Sequence, residues 1–461
     1  MHQIPRRRFL GQCCAAVGTT GLLSALGQLR LVGAMAGDAL PSRAAAVPAD
    51  FKALVCLYLQ GGNDATNVLV PTDSSSYATY AKARADLALT QSSLLPITPR
   101  TFSDGRSYGL HASVPGFQSL FGSGKLAVLA NVGTLVAPIT LADYNAGRKR
   151  PPQLFSHSDQ TIQWQSSIPD RPFETGWGGR LADLLDAMNS SNQVSMSITL
   201  NGVNSFQLGN RVAQFAIGSG GTPNLLMGPD SPVGVRGQLY NAHRATLIAP
   251  GTNAHAVAFA GITKKALDDN TTAGAALAAA PALTTTFPTT STAASLKMVA
   301  RLISVASTLG LKRQVFFVQL GGFDLHGAQA EGHGPLLAEL SGAMKAFYDA
   351  TVELGVANQV TTFTASDFGR TYVPNSGGTD HGWGNHQFIM GGAVQGGDIY
   401  GTMPSLAVNG PDDTGRGRWI PSTSVDEYNA TLATWFGVGA SSLSTVLPNI
   451  GRFARPNLGF V

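Results

Sequence analysis

Charge is scarce in this sequence of 461 residues. Asp, Glu, Lys and Arg make up 13%, about half of the ~25% usual in soluble domains. A surface so thin in charge leans on Ser, Thr, Asn, Gln and Gly for solubility, which we read as the composition of an exported protein. Cysteine is nearly absent, at three residues, which excludes a disulfide framework and a thiolate metal site. No run reaches the ~18 uninterrupted apolar residues of a membrane helix. No G-x-G-x-x-G follows an apolar run and no P-loop occurs, which argues against nucleotide binding. Without a G-x-S-x-G elbow, a Ser-His-Asp esterase is also disfavoured. What is present is 44% hydrophobic residues and 54 Gly without a G-X-Y period. That excludes a disordered or collagenous chain. The length allows one large α/β domain or two to three small ones, at roughly 100–200 residues each.

The formal charge of +4 belongs to the first 36 residues. These hold Arg6, Arg7, Arg8 and Arg30 and no acid, so 37–461 carry 27 basic and 27 acidic residues. A basic nucleic-acid footprint is therefore not expected. Residues 1–36 have the layout of a signal peptide: a basic start, a mildly apolar stretch from Ala15 to Leu26, and Ala34-Met35-Ala36 as a cleavage site. Arg6-Arg7-Arg8-Phe9-Leu10 resembles the twin-arginine export motif. The partner expected there is the twin-arginine translocation machinery, and the destination periplasmic or secreted. Such export carries folded proteins, often with a metal or cofactor already loaded. Cys13 and Cys14 would leave with the leader, and Cys56 is expected as a buried inert thiol. Residues 37–50 read as a linker and 51–461 as the folded domain.

Five short apolar runs read as buried strands of a parallel sheet: Leu54–Leu59, Lys125–Val132, Val315–Leu320, Val360–Ala365 and Gln387–Met390. Helical spacing links Leu296, Val299, Leu302, Ile303 and Ala306, and again Leu336, Leu337, Leu340, Met344 and Phe347. Strands alternating with amphipathic helices predict a doubly wound α/β sheet with helices on both faces. Its ligand crevice would lie beyond the carboxyl ends of the strands. Residues 201–260 are expected to hold a small accessory sheet. The Ala-, Thr- and Pro-rich stretch 268–294 is expected as an insertion or lid loop, so that 201–294 reads as one inserted region.

Chemistry-bearing residues follow those runs. Gly61-Gly62-Asn63-Asp64 places Asp64 to ligate a metal or to cap a helix. Gly321-Gly322-Phe323-Asp324-Leu325-His326 puts Asp324 and His326 two apart, on one side of an extended segment, with His333 beyond. Asp367 and Arg370 follow the fourth run; Asp380, His381 and His386 precede or open the fifth. Four of the nine His fall within about one-seventh of the chain, a concentration that points to metal. Carboxylate and imidazole ligands without thiolate suit Zn, Mn or Fe, or a mixed site with Mg or Ca. In Ser156-His157-Ser158-Asp159-Gln160-Thr161, Ser156 is either a helix cap or a nucleophile activated by metal, with Ser158 and Thr161 as rivals.

The stretches LVCLYLQGGNDATNVLVP (54–71), FSHSDQTIQWQ (155–165), GGFDLHG (321–327) and TTFTASDFGRT through GTDHGWGNHQFIMGG (361–392) resemble the DUF1501 family of exported bacterial proteins. That family looks like a branch of the alkaline phosphatase and sulfatase superfamily. The resemblance implies an α/β/α sandwich and a two-metal site. Asp64 and Asp367 would bind one ion with the nucleophile; Asp324, His326 and a late His, His386 or His381, would bind the other. Phe368 stands where the superfamily has His, and Asp324 and His326 are unusually close, so a one-metal site or loss of catalysis is also open. The implied activity is hydrolysis of a small anionic phosphate or sulfate ester. Arg370 would hold its oxygens or else form a salt bridge. The alternative is an exported non-catalytic scaffold that keeps the fold.

Overall fold

The computed structural model describes residues 47–189, 194–223 and 234–461. The leader, its twin-arginine motif and linker residues 37–46 lie outside the described residues. The strands run, in chain order, β1 Lys52–Leu59, β2 Leu69–Pro71, β3 Leu95–Ile97, β4 Tyr108–Leu110, β5 Leu126–Gly133, β6 Ser197–Thr199, β7 Phe215–Ala216, β8 Arg313–Leu320, β9 Val360–Ser366, β10 Asn385–Gly391, β11 Ile399–Gly401 and β12 Thr423–Ser424. All five expected strands are present. Their near-continuous apolar runs are buried on both faces, as parallel strands under two helix layers must be. Cys56 lies inside β1, and burial pushes its thiol well above the ordinary value, which keeps it unreactive.

The central sheet has the order β11-β5-β10-β9-β1-β8-β6-β7, with β12 also paired to β5. β10 is antiparallel to both β5 and β9, while every other pairing in this sheet is parallel. The sheet is thus mostly parallel, as expected, with β10 the one reversed strand. Parallel neighbours need a crossover over a face of the sheet, whereas residues 367–384, between β9 and β10, stay at one edge.

Helices cover both faces. Pro115–Gly122, Ser291–Ser304 and Gln329–Glu353 pack together on one; His157–Ser166, Trp177–Leu185 and Val425–Phe436 form the other layer. The result is the expected three-layer α/β/α arrangement. Thr290 caps Ser291–Ser304 by accepting the Ala293 N–H, and its stripe of Leu296, Val299, Leu302 and Ile303 is buried. Ser424 and Glu427 form a capping box that starts Val425–Phe436.

The accessory sheet lies elsewhere than expected. β2, β4 and β3 form it, from residues 69–110, while residues 201–260 contribute the edge strand β7 and the helix Gly234–Ile248. Residues 268–278, expected as loop, are the second half of the helix Ala254–Ala278. Low charge and high Ala suggested a loop, yet Ala is the best helix former.

Candidate metal centre

Topology gathers the motifs. β1, β8 and β9 are adjacent and parallel, so Asp64, Asp324 and Asp367 all emerge at one edge of the sheet. Reversed β10 begins at that edge, which brings Asp380 and His381 there as well. Gly61, with φ +113°, lets the β1 turn touch the β8 turn: a Cβ there would stand 2.4 Å from the Asp324 N. Past β5, the helix His157–Ser166 presents His157 in its first turn.

Four donor atoms converge at this edge. The Nε2 atoms of His157 and His381 are 3.1 Å apart, and those of His326 and His381 are 2.8 Å apart. Asp324 Oδ1 stands 3.3 Å from His157 Nε2, 3.0 Å from His326 Nε2 and 3.4 Å from His381 Nε2. Two ligands held on one zinc at ~2.0–2.1 Å and 90–109° are themselves roughly 2.8–3.4 Å apart. His157, Asp324 and His381 offer atoms all within 4.8 Å of one another.

The far side of each ring tells why the near sides meet. His157 Nδ1 faces Asp367 Oδ2 at 2.6 Å, His381 Nδ1 faces the Phe155 carbonyl at 2.6 Å, and His326 Nδ1 faces Asp380 Oδ1 at 3.3 Å. A neutral imidazole that donates from Nδ1 carries a lone pair on Nε2. With tautomers assigned from these partners, the lone pairs of His157 and His381 and the Asp324 carboxylate oxygen crowd one small volume with no proton between them, and the His326 lone pair lies beside His381 and Asp324. Metal-ligating histidines are oriented in this manner, and the donor set fits a divalent ion such as Zn or Mn.

The surroundings hold the donors in place. The Asp367 hydrogen bond, opposed by partial burial, raises the His157 value; burial lowers that of His381, against the Phe155 carbonyl. Burial works to raise the Asp324 carboxyl, but Arg370, His157 and His326 together hold it below the ordinary range. Phe155 has φ 72°, a left-handed conformation that is costly for an aromatic residue and turns its carbonyl to His381. Phe368 is buried, with its ring centroid 4.7 Å from those of both His157 and His381. It forms an apolar floor that fixes both rings.

The profile of the DUF1501 family, described as a protein of unknown function, matches residues 51–415. The chain belongs to the DUF1501 family. No curated protein matches it. Among solved structures, the PsFucS1 sulfatase from Pseudoalteromonas sp. aligns at 10% identity and a TM-score of 0.35, over 84% of this chain and 68% of its own. The lipoteichoic acid synthase LtaP from Listeria monocytogenes aligns at 8% and 0.34, over 92% and 80%. Likeness at this level transfers no residue role and no reaction.

Within this DUF1501 member, the residues singled out from sequence divide. Asp324, His326 and His381 meet. Asp64 stays outside: its carboxylate pairs with buried Arg84 and accepts from Gln329 Nε2 and Thr66 Oγ1, both at 2.6 Å. Asp367 stands one layer behind, accepting from Gly61 N at 3.2 Å while it holds His157. His386 is buried in β10, its Nδ1 accepting from the Asn131 N–H at 3.1 Å, and burial pushes its pKa down to about 4. His333 bonds Asn63 Oδ1 at 2.9 Å, away from the donors.

Arg370 is buried and engaged. It donates to the Gly61 carbonyl at 3.0 Å, Asp324 Oδ1 at 2.8 Å, Thr379 Oγ1 at 3.2 Å and the Thr379 carbonyl. Ser156 Oγ donates to Asp159 Oδ2 at 2.6 Å. The open cleft of about 400 Å³ beside the donors is lined instead by Ser158 and Thr161, with Gln60, Gly61 and Gly322. Thr161 Oγ1 accepts from buried Tyr58 at 3.0 Å. His157 was not singled out from sequence, although it stands next to Ser156. The signal was present: an imidazole in the first turn of a helix at the carboxyl edge.

Proposed function

We propose that this chain is an exported metal-dependent hydrolase that holds one divalent ion through His157, Asp324 and His381, with His326 alongside, and cleaves a phosphate or sulfate ester in the adjoining cleft. The convergence of the His157 and His381 imidazoles with the Asp324 carboxylate, with His326 Nε2 2.8 Å from that of His381, carries this reading. One ion rather than two fits, because Asp64 is taken by Arg84 and Asp367 by His157. When bound, a divalent ion supplies Lewis acidity and lowers the pKa of a nearby hydroxyl or water.

The protein's own groups do the rest. Asp367, Asp380 and the Phe155 carbonyl fix the ring tautomers. Arg370 positions Asp324 and has its donors spent on the protein, so it acts as a positioning residue and not as a clamp on the ester. Ser158 and Thr161 are the hydroxyls the cleft presents, and Ser156 is turned to Asp159.

The scaffold reading gains from that engaged Arg370 and from Phe368. A screen of zinc- or manganese-loaded protein on aryl phosphate, phosphodiester and sulfate esters separates the two. Turnover that disappears in Asp324→Ala, with the circular dichroism spectrum kept, is the expected result. A bound ion with no turnover on any ester would leave the scaffold.

A further inference from the structure

Among the described residues, five cations lie over aromatic rings: Lys52 on Trp435, Arg84 on Tyr372, Arg313 on Phe436, Arg150 on Tyr144 and Arg418 on Phe155. Three of them are spent on the protein. Lys52 donates to the Trp435 carbonyl, Arg84 to Asp64 and two carbonyls, and Arg313 to the carbonyls of Asp50, Lys312 and Phe436. The other two are open. Arg150 is exposed, its guanidinium carbon 4.6 Å from the Tyr144 centroid, and has no acceptor among the described residues. Arg418 sits 5.0 Å from the Phe155 centroid and spends only Nε, on the His381 carbonyl at 2.8 Å.

Arg418 reaches the metal centre through the His381 carbonyl, and Arg150 shares its apolar base. Tyr144 and Phe155 pack on one apolar cluster with Trp383, Leu135 and Ile420, so both stacks rest on a common base. Phe155 also gives its carbonyl to the His381 ring. The neighbouring cations are balanced: Arg148 and Lys149 share Asp143, and Arg416 pairs with Asp380. Asp412 and Asp413 turn onto Ser405 and onto backbone N–H groups. Among the described residues, neither Arg150 nor the Arg418 guanidinium has a carboxylate within ion-pair distance, although Asp380 and Asp413 lie close enough to Arg418 to act on it.

We propose that Arg150 and Arg418 form an oxyanion subsite on the His381 side of the metal centre, which takes a sulfate, phosphate or carboxylate group that the substrate carries away from the bond to be cut. A guanidinium fixed flat on a ring keeps its N–H edge for bidentate contact with such a group. The substrate is then a soluble polyanionic chain with repeated oxyanions. This rests on the hydrolase reading for its biological sense, but the subsite itself needs no ion.

The test is calorimetric titration of the mature full-length protein, chelator-stripped and then zinc-loaded, with dextran sulfate, polyphosphate and uncharged dextran. Binding to at least one polyanion in both metal states, with none to dextran, is expected; the polymer that binds names the oxyanion. Arg150→Gln should weaken it about tenfold, as the loss of one charge-assisted contact does, and Arg150→Gln with Arg418→Gln more steeply. Arg236→Gln, on a distant helix, should leave it unchanged. If the double variant fails to fold, Arg150→Gln alone decides. Equal binding by wild type and Arg150→Gln, no binding to either polyanion, or binding confined to anionic lipid vesicles would overturn the subsite. Polyanion binding without ester turnover would sink the hydrolase and keep the subsite; turnover without it would do the reverse.

Discussion

Two turns of this molecule have nearly the same sequence and opposite fates. β1 and β8 are paired strands, with Leu59 opposite Leu320. Each runs into Gly-Gly-x-Asp: Gly61-Gly62-Asn63-Asp64 and Gly321-Gly322-Phe323-Asp324. Asp64 is 3% exposed and closed in by Arg84, Gln329 and Thr66; Asp324 is 45% exposed and faces three imidazoles. Burial would raise the Asp64 carboxyl, but Arg84, His333 and Thr66 together hold it below the ordinary range. The local motif delivers a carboxylate to the sheet edge. Residues distant in sequence then decide whether it is closed into the fold or left open beside the imidazoles.

The comparison breaks most visibly in stability. Asp64→Ala leaves Arg84 buried and unpaired, a defect of about 3–5 kcal/mol. In chelator, its urea midpoint is expected to fall below that of Asp324→Ala, which also takes a carboxylate from buried Arg370 but one that is 45% exposed and screened by solvent. Equal losses would mean that the two turns do the same work.

The Asp64 turn also carries a pH signature. His333, bonded to Asn63, is held neutral by burial at a pKa of about 4, against 6.5 for a free histidine. A depressed folded value gives stability that is complete above about pH 6.5 and is lost as pH falls toward 4, by about 3 kcal/mol at most. His386 adds a similar loss, and His111 and His381 are lowered as well, so His333→Gln should make the slope between pH 4 and 7 shallower without abolishing it. An unchanged slope in unfolding free energies would contradict this.

On the Asp324 side, Asp367→Asn should keep the fold and weaken ion affinity about 10–100-fold, the usual cost of an orienting partner. Loss of all ion would instead make Asp367 a ligand. The smallest effect belongs to Ser156. Its side chain does not cap the helix it precedes, so Ser156→Ala should change stability by less than about 0.5 kcal/mol and leave ion affinity as it was. A large drop in either would return Ser156 to the site.

Sheet strands and the edge where the chemistry lies were legible because fully buried strands write continuous apolar runs and Gly marks their turns. β6 and β7, of three and two residues, are too short to leave a pattern, and the direction of β10 depends on a connection that periodicity does not encode. Asp324, His326 and His381 were legible as a concentration of ligand-type residues. The pairing of Asp64 was not legible because the identity of its partner, Arg84, twenty residues on and delivered by a separate helix, is a tertiary fact. His157 was passed over for the same reason: its Nε2 meets donors more than 150 residues away.

Metal content per chain of the mature protein, measured beside Asp64→Asn and Asp324→Ala, tests the central claim most directly. About one equivalent in the wild type and in Asp64→Asn, and none in Asp324→Ala, is the expected result. Two equivalents in the wild type, or an ion that survives Asp324→Ala and is lost in Asp64→Asn, would contradict it.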